Sequence, residues 1–496
     1  MKLVQKCLFI SAVLVFGCKE EIELSNEKLI TEFKFLKSIN DQLDQDYTAI
    51  ISGTEITVDF PHGFSANGLK ASFKTSDNST ATIGTVPQVS GVTINDFSNS
   101  VTYTITAEDN TTSAYTVSMS RIGVEPNNDI NQTTSYHYEL NTSSWINYNT
   151  ELPSALNFYH GGFLSRAIYD FDKDGDNDLM MGNLNFDDTG LLNSPRPVNY
   201  IQNNNGYSDQ TSSVFSGNVP GQVHPRKAIL GDFDKNGWMD VVFAGHGFDQ
   251  PPFPGEQALI MLNYNGTFSS SYLTPGGFYH SVCSGDIDND GDLDLFFTEN
   301  YASQSKFLMN NGNGEFSYDP SIFPSDISNL NYFTSELYDL NNDGYLDLVI
   351  AGHTHENATP RVLWGNYTGK YSSSRSSTIP SVNDWEIIID INFLDINNDG
   401  LEDIILNRQG DGTGSQTTFH GLYVQILIQQ NDKSFVDNTG TLITGNPILT
   451  YPNMNWFWID WLRIYDYDND NVKDIIADNK FFNIRWKNNN GVFTRQ

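Results

Sequence analysis

From Leu29 to Ile122, apolar and polar residues alternate with period two in stretches such as EITVDF (55–60), SVTYTITAED (100–109) and SAYTVSMSR (113–121), broken by Gly, Asn, Asp and Ser. That period is the one by which successive strand side chains point to opposite faces, and no 3.6-residue pattern competes with it. It predicts a small β-sandwich over 29–122. The next stretch, EPNNDINQTT (125–134), has no apolar run and predicts a linker over 123–135.

From Tyr136 to Gln496 the pattern changes to short continuous apolar runs on either side of aspartate-rich turns, as in AILG (228–231) and VVFAG (241–245). Six copies of the turn align: DFDKDGDND from Asp170, DFDKNGWMD from Asp232, DIDNDGDLD from Asp286, DLNNDGYLD from Asp339, DINNDGLED from Asp395 and DYDNDNVKD from Asp466, with starts 62, 54, 53, 56 and 71 residues apart. A second turn of the type LMNNGNGEF (308–316) follows each, with Asn and Gly where hairpins need positive φ. A unit of four short strands cannot bury both faces of its own sheet, so the copies must pack radially, and a β-propeller of six or seven blades is the expected all-β architecture. Residues 136–163 are candidates for extra strands.

These repeats resemble the FG-GAP/VCBS class, the units of the integrin α-subunit propeller and of many secreted bacterial proteins, across 136–496. The closing YTITAEDNTTSAYTVSMS (103–120) resembles the last hairpin of immunoglobulin- or cadherin-like modules near the N-terminus of bacterial surface lipoproteins. The resemblance implies a spacer module followed by a propeller that acts through the face opposite its metal loops.

The chemistry of the turns is that of a hard cation. Calcium takes six to eight oxygens, and a tight loop offers alternate side chains inward. Positions one, three, five and nine supply side chains, and position seven its carbonyl. The candidate ligands are Asp170, Asp172, Asp174, Asp178 and Asp176; Asp232, Asp234, Asn236, Asp240 and Trp238; Asp286, Asp288, Asp290, Asp294 and Asp292; Asp339, Asn341, Asp343, Asp347 and Tyr345; Asp395, Asn397, Asp399, Asp403 and Leu401; and Asp466, Asp468, Asp470, Asp474 and Val472. Replacements at the side-chain positions keep an oxygen donor. Glycine at position six gives way only to Asn471, which tolerates a left-handed backbone. An EF-hand needs an acid at position twelve, where Phe297 and Ile350 stand here. Six near-identical clusters argue for structure rather than acid/base catalysis, which needs two carboxyls in unlike environments.

A ligand site is then sought at the other end of the strands, six residues before the first aspartate and six after the last. Candidates are Arg166, Arg226, His246, His280, Asn300, His353, Arg408, Trp461 and Lys480, with Lys227, Asp460, Trp456, Trp458, Asn183, Leu184, Glu299, Gln409 and Asn479 nearby. Aromatic faces beside Asn, His and Arg suit carbohydrate. His355, Glu356, Asp411 and His420 are isolated loop residues. No GxSxG or HExxH pattern occurs, so the alternative, a propeller-fold polysaccharide lyase or hydrolase, would rest on His246, His280 or His353.

Composition sharpens the picture in two places. The formal charge of −34 argues against a nucleic-acid partner and for cations. At the N-terminus, Lys2 and Lys6 precede an apolar Leu8–Phe16 too short to span a bilayer, which predicts a leader over 1–17. Gly17-Cys18 resembles the lipobox of bacterial lipoproteins, implying lipidation at Cys18 and a tether over 18–28. The following Lys19-Glu20-Glu21 resembles a surface-export tag. The lone Cys283, in an apolar run, is expected in the core. The expectation is a lipid-anchored outer-membrane or cell-surface protein whose calcium-braced propeller binds an extracellular glycan or protein.

Overall fold

The computed structural model describes residues 24–122 and 165–496, apart from 41–42, 44–45, 62–65, 98, 185, 188–189, 192, 205, 216, 302–303, 354–356, 411–419, 451–457, 469 and 479–483, together with the backbone of two short strand pairs, Leu3–Val4 with Glu21–Ile22 and Tyr136–Glu139 with Ser144–Asn147. Cys18, the linker, Trp456, Asn479, Lys480, His355, Glu356 and Asp411 lie outside the described residues. The chain divides into two compact units, Met1–Ile122 and Gly123–Gln496. Among the described residues no helix is long and apolar enough to cross a membrane.

The first unit is a β-sandwich. One sheet orders Ile94–Asn95, Leu69–Thr75, Ile30–Phe35 and Tyr47–Thr48; the other orders Ile50–Ser52, Glu55–Pro61, Thr112–Ile122, Val101–Thr106, Thr80–Ile83 and Val86–Pro87. The period-two pattern explains the core: Ile56, Val58 and Phe60 from one sheet meet Phe33 and Phe35 from the other, with Tyr103, Ile105, Tyr115 and Val117. The closing hairpin pairs Tyr103 with Tyr115, and Thr112–Ile122 then runs parallel to Glu55–Pro61.

Among the described residues of the second unit are six four-stranded antiparallel sheets, each built from strands taken in chain order. Their innermost strands are Arg166–Tyr169, Pro225–Gly231, Tyr279–Gly285, Tyr332–Tyr338, Ile387–Leu394 and Trp461–Tyr465. Each joins its neighbour in the sheet through an aspartate turn. The apolar runs are continuous because both faces of a sheet are covered: Leu295 and Phe297 pack toward the second sheet, while Phe296 between them packs toward the fourth. Likewise Leu348 and Ile350 face the third sheet, and Val349 and Ala351 the fifth. Every cluster of this kind lies between two successive sheets, which is the radial packing of propeller blades.

Charge is buried where the inner strands meet. Lys227 Nζ donates to Glu336 Oε1 at 2.5 Å, both side chains fully buried, and so links the second sheet to the fourth across Ser281 of the third. Cys283 is fully buried with its thiol 3.6 Å from Ser335 Oγ, and burial pushes its pKa up to about 12, so it is a neutral core thiol.

Candidate functional site

Two sets of side chains occupy opposite ends of the same strands. At the first end, the nine-residue aspartate turns repeat one hydrogen-bond scheme. The position-one carboxylate accepts the N–H groups four and five residues on, as Asp286 does from Asp290 (3.1 Å) and Gly291 (3.0 Å) and Asp466 does from Asp470 (3.1 Å) and Asn471 (2.8 Å). This folding needs a left-handed residue at position six. Gly291 has φ 89° and Asn471 φ 65°. Position four is left-handed as well, at Lys173, Lys235, Asn289, Asn342 and Asn398, a requirement the sequence pattern did not reveal.

Position nine is the staple. Asp294 Oδ2 accepts from Ile287 N at 3.3 Å, and its Oδ1 accepts from Asn310 N on the third strand at 2.8 Å. Asp178, Asp240, Asp347, Asp403 and Asp474 make the same pair of bonds. Burial, reinforced by the neighbouring carboxylates, pushes the pKa of Asp178 and Asp240 up to about 7 and that of Asp294 up to about 8.

The carboxylates at positions one, three and nine converge within 4.8 Å in four turns: Asp170, Asp172 and Asp178; Asp232, Asp234 and Asp240; Asp286, Asp288 and Asp294; Asp466, Asp468 and Asp474. Asn341 and Asn397 stand at position three in the other two. The donor set, oxygen only and mutually repelling, fits a hard divalent cation. At position five, Asp174, Asn236, Asp290, Asp343, Asp399 and Asp470 each turn Oδ1 to the N–H of position seven, held by Asp176, Trp238, Asp292, Tyr345, Leu401 and Val472. In the sixth turn Lys487 Nζ pairs with two carboxylates at once, Asp468 and Asp470 (2.8 Å), whereas Lys235 pairs with Asp292 in the third and Lys433 lies 3.6 Å from Asp343 in the fourth.

At the opposite end, four consecutive inner strands carry a β-bulge. The register jumps from Pro225 to Lys227, from Tyr279 to Ser281, from Tyr332 to Thr334 and from Ile388 to Asp390. The extra residues are Arg226, His280, Phe333 and Ile389, each six before its first aspartate. A bulge re-aims its residue, and three of these converge: His280 lies 3.9 Å and the Arg226 guanidinium 5.9 Å from the Phe333 ring. His353 stacks on Phe333 at 5.4 Å. His246 stacks on Phe278 at 4.3 Å, 4.9 Å from His280 and 3.9 Å from His224. Asn300 donates its N–H to Phe278 O at 3.3 Å, and Glu299 accepts Phe278 N.

Burial holds the pKa of His224, His246 and His280 well below the ordinary imidazole value, with Arg226 lowering each further. The mouth therefore presents neutral rings and one guanidinium in a strongly acidic chain. Asp460 and Asp249 lie near enough to steady the Arg226 charge.

Beside the histidines is an aromatic group absent from the sequence candidates. Phe253 lies 4.4 Å from Tyr301 and 5.8 Å from Phe278, and Tyr301 remains 56% exposed. Phe253 and Tyr301 sit on single loops that no repeat marks. Phe333, by contrast, occupies the six-before position and was legible by the rule that found His280.

Other sequence candidates serve the interior. Arg408 is fully buried and donates to Gln425 Oε1 (2.6 Å), Trp385 O (3.0 Å) and Pro380 O (2.9 Å). Lys227 faces Glu336 rather than the mouth. Arg166 and Trp461 are buried on their inner strands, and Asn183 binds Pro197 O and Asn199.

Comparison with known proteins places two family descriptions on the chain. The FG-GAP-like repeat matches residues 232–297, 286–350 and 339–406, and the SGBP N-terminal domain matches residues 30–119. No curated protein matches the chain. Among solved structures, the chain is similar to an Agrocybe aegerita lectin described by its specific recognition of non-reducing terminal N-acetylglucosamine, at 15% identity over 83% of this chain and 90% of that one, TM-score 0.37. It is also similar to a quinoprotein alcohol dehydrogenase-like protein of Bacteroides thetaiotaomicron, at 8% identity over 85% and 99%, TM-score 0.28.

Proposed function

We propose, for a chain that is an FG-GAP-repeat, β-propeller-like protein carrying an SGBP N-terminal domain, that it captures glycan at the cell surface through the bulged end of its sheets. The observation that carries this is the Phe253, Phe278 and Tyr301 group, with Tyr301 exposed and 6.1 Å from Phe278, the ring on which His246 stacks. Ring faces stack on sugars while imidazole, amide and guanidinium groups meet hydroxyls or uronate carboxylates. The match to a surface glycan-binding N-terminal domain supports the same class of partner and a surface location. Calcium in the aspartate turns braces the blades, and lipid at Cys18 anchors the chain.

The test is binding to immobilised neutral and acidic polysaccharides with calcium present. Tyr301→Ala lowers affinity about tenfold for the glycan bound, as loss of one stacking face of about 1.4 kcal/mol requires, while Tyr301→Phe keeps it. Equal binding by both variants would reject the aromatic group as the site. Unsaturated products or new reducing ends that disappear in His353→Ala would replace capture with the lyase or hydrolase reading.

A further inference from the structure

Two histidines and an aspartate converge at the bulged end, and of these only His246 belongs to the glycan site. One donor atom each from His224, His246 and Asp249 lies within 4.8 Å of the others. His224 is 7% exposed, and neither of its ring nitrogens has a hydrogen-bond partner. A buried polar atom left so destabilises the fold, a cost that a ligated ion would remove.

The backbone around the pair is fixed by one carboxylate. Glu256 accepts the N–H groups of Val223 (2.8 Å), His224 (3.0 Å) and Gly247 (3.0 Å), so the two histidine segments are clamped together before any ion arrives. Gly245 and Gly247 make room: a Cβ on the first would stand 2.3 Å from Glu256 Oε1, and on the second 2.5 Å from Gly255 O. His246 Nδ1 lies 3.1 Å from Gly247 O. An N–H there leaves Nε2 with its lone pair free, the outer-shell arrangement by which ligating histidines are oriented. Asp249, exposed on the loop that follows, supplies the charge, and the neutrality of the buried rings suits them to coordinate.

We infer that His224, His246 and Asp249 form a site for a borderline divalent transition metal, best matched by zinc, chemically distinct from the all-oxygen turns at the other end of the blades. Two imidazoles and one carboxylate are too nitrogen-rich for calcium and match the three-ligand zinc pattern that keeps one position open. Bonds of about 2.0–2.2 Å to nitrogen and oxygen ask only that the rings tilt inward from their present spacing. Arg226 opposes the ion and Asp249 offsets it. The open position accepts water or a ligand oxygen.

The experiment uses the full chain, stripped with chelator, refilled with excess calcium and titrated with zinc, then with cobalt(II) as a spectroscopic probe. One equivalent of zinc that calcium does not displace is expected, with the visible bands of a low-coordinate cobalt–imidazole centre. Asp249→Asn, on an exposed loop where folding is not at stake, and His224→Ala each weaken zinc at least tenfold; His420→Ala, outside the cluster, leaves it unchanged. No zinc uptake in the presence of calcium overturns the inference. So does uptake that survives both cluster variants, or a refined structure at saturating zinc with water alone on His224.

Discussion

The two ends of the same blades obey opposite rules. At the turns, six copies place the position-one and position-nine carboxylates in the same hydrogen bonds, down to the paired acceptors of the position-nine aspartate. At the bulged end, equivalent positions hold arginine, histidine, phenylalanine and isoleucine. Repetition is what a fold asks of every blade alike. Variation at equivalent positions creates one asymmetric surface, which is what recognition of a single ligand requires. The physics differs accordingly: crowded acids with raised pKa values at one end, neutral rings and a guanidinium at the other.

The largest effect expected of this contrast comes from removing calcium. Each turn saturated at a hundred times its dissociation constant adds about 2.7 kcal/mol, so several together shift Tm by on the order of 10–20 °C. Chelation is therefore expected to lower the melting temperature sharply, while glycan binding measured well below the new transition persists. An unchanged melting curve, with no calcium in the purified protein, rejects the metal reading of the turns. Loss of binding from a chelated protein that is still folded shows that the two ends are not independent.

Next in size is the buried pair between them. Lys227→Met leaves Glu336 buried without its cation, a loss of about 3–5 kcal/mol. Burial already raises the Glu336 pKa above its ordinary value while Lys227 pulls it down, so the variant raises it further. The native state then holds a proton that the unfolded chain releases near its ordinary pKa. Both proteins lose stability alike as pH rises to about 8, where the parent carboxyl ionises and the variant's does not, so the deficit is larger near about pH 9 than near about pH 6. Denaturant midpoints of both proteins at the two pH values check the sign; a pH-independent deficit would mean that Glu336 is not the group responsible.

Lys227 also shows where the sequence stopped being readable. The aspartate turns are nine-residue local structures whose spacing dictates their geometry, so their positions followed from pattern alone, while the pattern left six or seven blades open. The bulge does not announce itself: one extra residue reverses which face the following side chain takes, and Lys227 turns to the interior while Arg226 takes the mouth. Arg408 sits on a regular strand and is buried because Gln425 and the Pro380 and Trp385 carbonyls take its guanidinium, partners that no repeat marks. Tyr301, Phe253 and His224 come from unrepeated loops brought together by tertiary packing, and no periodicity points at them. The position-nine aspartates were legible as ligands but not as staples, because their partners lie on a third strand.

That double duty separates two neighbouring residues of one turn. Asp294→Asn turns an acceptor oxygen into an amide facing a backbone N–H, a cost of about 1–3 kcal/mol with or without calcium. Asp288, exposed and held by a single backbone N–H, serves the cation almost alone. Asp288→Asn should lower the melting temperature only when calcium is present and match the parent in chelator. Equal effects of the two variants in chelator would erase the distinction between staple and ligand.

The smallest effect tests whether the sixth turn departs from the other five. Lys487 places its ammonium against Asp468 and Asp470, where the cation would otherwise draw its oxygens. A fixed positive charge among the ligands must be displaced before calcium enters, so this turn should fill last or not at all. The contact lies near the surface, and its loss barely moves the melting temperature. Lys487→Gln is instead expected to show in calcium stoichiometry, raising the count by one or converting the weakest calorimetric phase into one that overlaps the rest. If the variant binds the same number of ions with the same affinities, the ammonium is a bystander and the sixth turn already behaves like the others.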